Sequence, residues 1–110
     1  MSHMEYLEFI ETPTFSRKCK ELLTEEEYRQ FQVYLTHYPD AGALIVGTGG
    51  CRKVRWGNHR RGKSAGVRAI YYYLCADGQI YMLLVYPKSE KDSLTESEKS
   101  ILKNIVRSLS

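Results

Sequence analysis

The sequence predicts an α+β domain of order β-α-α-β-β-β-α, a mostly antiparallel sheet with helices laid over one face. Three observations predict it. Thr-x-x-Glu boxes stand ahead of two amphipathic stretches, at Thr24–Glu27 and Thr95–Glu98. Two runs rich in β-branched and aromatic residues, Val67 to Cys75 and Gln79 to Tyr86, meet across a short Asp77-Gly78 link. A chain of 110 residues, 43% hydrophobic and 26% charged, suits one modest core rather than a disordered tail.

Glu5 to Ile10 alternates loosely and reads as the first strand. Pro13 suits the first turn of a helix through Phe15, Cys19 and Leu22–Leu23. After the first box, Tyr28, Phe31, Leu35 and Tyr38 recur at helical spacing, and Pro39 ends that helix. Cys51 to Trp56 alternates as a strand, with Lys53 and Arg55 on one face and Val54 and Trp56 on the other. The chain closes with a helix whose Ile101, Leu102, Ile105, Val106 and Leu109 share an apolar face. Met1 to Met4 reads as a cloning scar, leaving residues 5–110 as a single domain.

Several function classes are disfavoured. No apolar run approaches the roughly 18 residues that span a bilayer, and no signal peptide is evident, so a cytosolic, non-membrane protein is expected. Cys19, Cys51 and Cys75 form no Cys-x-x-Cys pair and read as buried free thiols, and neither a metal nor a cofactor is expected. Gly57 to Ser64 matches the P-loop pattern, but a strand-forming run follows where a phosphate-cradling helix is required. That loop reads instead as a basic arm between strands, suited to nucleic acid.

The charge distribution carries the functional signal. From Ala41 to Ala76 there are seven basic residues (Arg52, Lys53, Arg55, Arg60, Arg61, Lys63, Arg68) and no acidic one. The rest of the chain holds nine basic and thirteen acidic residues, a balance of −4. Such a localised positive field fits a phosphate backbone. With helices over one face, the other is expected to present Lys53 and Arg55 in a basic groove.

Three blocks then carry a family resemblance. Gly47-Thr48-Gly49-Gly50-x-Arg52-Lys53-Val54-Arg55, Gly62-Lys63-x-x-Gly66-x-Arg68-x-Ile70-Tyr71-Tyr72 and Tyr81-x-Leu83-Leu84-x-Tyr86-x-Lys88-x-Glu90 resemble the HigB branch of the RelE toxin superfamily. The resemblance implies the toxin of a type II toxin–antitoxin module, a metal-independent endoribonuclease that cuts mRNA on the ribosome through attack by the 2′-OH. It also implies a HigA-like helix-turn-helix antitoxin, through which alone operator DNA would be met.

By the same resemblance, Lys53, Arg55 and Arg68 fall at catalytic positions, with Arg68 the best clamp for the scissile phosphate. A second arginine and a C-terminal tyrosine of the best-known branch fall roughly at Ser89 and Thr95 here; Lys88 is the candidate replacement cation. Arg52, His59, Arg60, Arg61, Lys63, Tyr72, Tyr86 and Lys91 are the expected RNA or ribosome contacts. The consecutive Tyr71, Tyr72 and Tyr73 must divide between core and groove. A non-catalytic RNA-binding or translation-regulating module is the alternative, and a degenerate toxin that binds only partner and operator a third.

Overall fold

The computed structural model describes residues 7–57, 66–91 and 93–109. The scar and the start of the first predicted strand lie outside them. The elements run β1 (Glu8–Glu11), α1 (Pro13–Leu22), α2 (Glu25–His37), β2 (Ala43–Leu44), β3 (Arg52–Trp56), β4 (Val67–Leu74), β5 (Gln79–Pro87) and α3 (Glu96–Leu109). The sheet order is β1-β5-β4-β3-β2, with β1 parallel to β5 and the other pairings antiparallel. The two-residue β2 was not foreseen. It forms because the chain after α2 turns back along β3, pairing Ala43 with Lys53 and Leu44 with Arg52.

Each helix starts where a side chain can satisfy its first free N–H groups. Thr12 Oγ1 accepts from Phe15 N (3.0 Å), and Pro13 occupies the position that has no helical donor to lose. Both boxes form. Glu27 N donates to Thr24 Oγ1 and Thr24 N to Glu27 Oε1; Glu98 and Thr95 repeat the exchange. The β4–β5 link is one 3-10 turn, Cys75–Asp77, closed by Gly78 in the left-handed region (φ 65°).

The sheet is covered on both faces, which corrects the expected one. Along β4, Val67, Ala69 and Tyr71 join Phe15, Cys19, Phe31 and Leu35 in a core under α1 and α2. The alternate residue Ile70 joins Cys51, Leu83, Tyr86, Leu102 and Val106 in a second core under α3. That second face carries too much apolar surface to leave in water; burying it favours folding by roughly 25 cal/mol per Å². Ile101 is an exception on α3, 57% exposed and outside the buried stripe.

Candidate nucleic-acid interface

The glycine-rich block builds the end of the second core. Ile45 N donates to Cys51 O (2.9 Å), closing a loop in which the fully buried Thr48 ties both ends. Its hydroxyl donates to Ile45 O (2.7 Å) and accepts from Cys51 N (3.0 Å). Gly49 has φ 78°, and a Cβ there would lie 3.4 Å from Val106 Cγ1 of α3. Gly50, at φ 122°, would push a Cβ to 3.3 Å from the Tyr72 ring. The block therefore seats α3 and launches β3.

Beyond α3 the same face turns cationic. Register sets Arg55 opposite Arg68 across β3 and β4, and Arg68 opposite Tyr86 across β4 and β5. Directly opposed residues hold their Cβ atoms about 5 Å apart. Lys53, two residues before Arg55, shares its side of β3 and lies opposite Ile70. Arg55 is exposed, whereas Arg68 and Lys53 are half-buried. Like charges directly opposed destabilise a sheet, yet among the described residues no carboxylate forms an ion pair with any of the three.

Lys88 lies just past β5 and is exposed; its N–H donates to Gly66 O (3.3 Å), extending the ladder beyond Val67–Pro87. Gly57 and Gly66 stand close together there, where the chain leaves and re-enters the described residues. His59, Arg60, Arg61 and Lys63 lie outside the described residues, as does most of the P-loop-like stretch.

Three predicted RNA contacts have other partners. Arg52 shares the side of Val54 and Trp56, opposite to Lys53, and its Nη1 donates to Gly42 O (2.7 Å) and Asp40 O (3.1 Å). It is an anchor for the turn after α2. Tyr86 is 3% exposed, and Lys91 Nζ stands 4.9 Å from its ring centroid. The ammonium thus occupies one face of an already buried ring. Lys91 is itself paired with Glu98 (2.5 Å), the capping carboxylate of α3.

The three tyrosines divide as alternation requires. Tyr72 is half-buried among the second core, at the far end of β4 from Arg68. Tyr71 and Tyr73 point to α1 and α2. Tyr71 is fully buried, donating to Pro39 O and accepting from Gly42 N, each at 2.9 Å. Burial raises its phenol pKa, the Gly42 bond opposing in part. Tyr71 and Arg52 thus fix the turn into β2 together, a role the chain pattern did not announce.

Among the described residues no cluster of three His, Cys, Asp or Glu side chains could hold a metal ion. Nor is any described helix long and apolar enough to cross a membrane. Burial pushes the Cys19 thiol up to about 11, with Glu11 adding to the effect, and raises the Cys51 thiol as well. Neither is poised as a nucleophile. Cys75, in the turn between β4 and β5, is exposed rather than buried as expected.

No family model matches the chain. Solved structures do share its fold. A double mutant of the E. coli toxin RelE in the free state superposes with a TM-score of 0.58 at 14% identity, covering 89% of this chain and 96% of that one. The isolated E. coli RelE toxin gives 0.55 at 15% identity, over 90% and 98%. The archaeal RelE–RelB complex from Pyrococcus horikoshii gives 0.49 at 23% identity, over 80% and 100%. The chain has the small α+β fold of RelE toxins, with three helices and a five-stranded, mostly antiparallel sheet.

Proposed function

We propose that this protein is a toxin that cleaves mRNA on the ribosome, the effector of a type II toxin–antitoxin module. One observation carries the reading: Arg55 and Arg68 oppose each other across β3 and β4, with Lys53 two residues along. A like-charge row costs stability in the free protein and gains its return only when an anion lies on it. The fold shared with RelE toxins supports the same reading.

In this scheme the 2′-oxygen attacks phosphorus, the bond to the 5′-oxygen breaks, and a 2′,3′-cyclic phosphate remains. The proton lost by the 2′-OH is matched by one delivered to the departing 5′-oxygen. Arg68, flanked on both sides along the sheet, grips the non-bridging oxygens; Arg55 and Lys53 stabilise the charge that grows on them. Lys88 supplies the fourth cation, beside Ser89, which falls roughly where the best-known RelE branch has an arginine. No metal is invoked. His59, Arg60, Arg61 and Lys63 extend the contact to ribosomal RNA. The resemblance of the glycine-rich block favours the HigB branch, hence a HigA-like antitoxin.

Induced expression tests this. Growth should stop, with mRNA cut on translating ribosomes, and Arg68→Ala and Lys53→Ala should each cut at least roughly 100-fold more slowly. Intact mRNA under the wild-type protein would sink the reading. Salt-sensitive RNA binding without cleavage would instead favour a translation-regulating module.

A further inference from the structure

Strand β5 changes faces midway. Ile80 and Met82 belong to the core under α1 and α2, as strict alternation from residue 80 allows. The same alternation would send Leu84 and Tyr86 there too. Instead Leu84 and Tyr86 join Leu83 on the side of α3, and Val85 belongs to the other core. The register explains it. Ile70 pairs with Leu84 and Tyr71 with Met82, which leaves Leu83 as the extra residue of a β-bulge. One inserted residue thus exchanges the faces of everything after it. Through that exchange Tyr86 comes to lie opposite Arg68 on the cationic side.

Thr12, just past β1, bonds to the two residues at the bulge. β1 stops pairing at Glu11, opposite Met82, and Thr12 follows. Thr12 N donates to Met82 O (3.1 Å), and Thr12 Oγ1 donates to Leu83 O (2.9 Å). The same oxygen accepts from Phe15 N to cap α1. A hydroxyl can do both at once; a carboxylate caps but cannot donate.

We infer that Thr12 is a positioning residue of the cationic site, holding the Leu83 bulge that turns Tyr86 toward Arg68. Tyr86 in turn carries Lys91 over its ring, and Lys91 meets Glu98 of α3, so the bulge sets how closely α3 borders the arginines. As a statement about catalysis this rests on the cleavage reading above; as a statement about placement it does not.

Substitutions that separate the two bonds test it. Thr12→Ser keeps both, Thr12→Asp keeps the cap and removes the donor, and Thr24→Ala removes a helix cap that touches no strand. Cleavage on programmed ribosomes is measured alongside NMR contacts between the Tyr86 ring and Lys91 and Arg68. Thr12→Asp should lower kcat by roughly 10- to 100-fold with KM little changed, and should weaken those contacts. Thr12→Ser and Thr24→Ala should stay near wild type in both. If the aspartate variant fails to fold, Thr12→Ala against Thr24→Ala gives the same comparison. Wild-type kcat and intact Tyr86 contacts in the Thr12 variants would overturn the inference. Should the wild type cleave nothing, the cleavage reading falls, and the NMR contacts alone decide the placement.

Discussion

The two faces of the sheet are made from alternate residues of the same strands and differ in how their polar groups are met. Under α1 and α2, Phe15, Phe31, Leu35, Ala69, Tyr71, Ile80 and Met82 are all fully buried. Trp56 stacks on Phe31 with centroids 5.1 Å apart, and Arg52 is spent on two carbonyls. Under α3, apolar packing fills only one end. The other end sets Arg55 against Arg68. On the first face the Tyr71 hydroxyl and the Arg52 guanidinium both find backbone partners; the second face leaves a repulsion standing. The difference teaches where to look for function: at the side that folding alone would have built otherwise.

The largest effect should come from the first face. Phe31→Ala removes a fully buried ring that packs on Trp56 and Phe15's core, and should cost about 3–5 kcal/mol in urea denaturation. A loss near 1 kcal/mol would mean that this face is not the structural one.

Arg55→Glu should do the reverse on the second face. It replaces a repulsive cross-strand pair with an attractive one, adding roughly 0.2–1 kcal/mol of stability. Cleavage should fall at least about 100-fold, equivalent to about 2.7 kcal/mol of transition-state stabilisation. Rising melting temperature with falling activity is the signature. A variant less stable than wild type would show that the arginine has a structural duty.

Much of this division was legible in the chain, and the part that was not has physical causes. The capping boxes marked α2 and α3 because the side-chain exchange is local, needing only residues three apart. The hairpin was legible for the same reason. Which face α3 would cover was not, since an apolar stripe says that a helix is buried and not against what. Arg52 could have been placed: the alternation that sets Val54 and Trp56 against Lys53 and Arg55 puts it with the former. The face of Tyr86 was hidden by the bulge at Leu83, whose trace in the sequence is the unbroken apolar run Met82-Leu83-Leu84-Val85. The two-residue β2 lacks any pattern long enough to show.

A smaller effect separates anchoring from catalysis. Tyr71→Phe removes the hydroxyl that accepts from Gly42 N and donates to Pro39 O. With a buried donor left unmet, stability should fall by about 1–3 kcal/mol. Lys53, paired with Ala43 in the adjacent strand, should keep its activity per folded molecule. If cleavage falls further than the folded fraction, the turn after α2 reaches the site, and the faces are less independent than the packing suggests.

The smallest effect concerns how α3 is held. Lys91 and the Thr95 amide both donate to Glu98, the lysine contributing most, and hold its carboxyl below the usual carboxylate range. A group depressed in the folded state adds stability above its unfolded pKa of about 4.3 and loses it as pH falls toward the folded value. Among the described residues no cation forms an ion pair with Glu27; Arg29 pairs with Glu26 in the same turn and holds it low, but that pair is more exposed and gains less, so acid should loosen α3 before α2. Since Lys91 and Glu98 are partly exposed, the contribution at pH 7 should stay below about 1 kcal/mol. Hydrogen exchange in the first turn of α3 should quicken between pH 5 and 3 (roughly the span over which such a carboxyl titrates) relative to the first turn of α2. In Glu98→Gln that acid response should be blunted, because a neutral amide has no proton to gain. An unchanged response would move the acid sensitivity of the second face away from Lys91 and Glu98, and with it the idea that this pair fastens the helix beside the arginines.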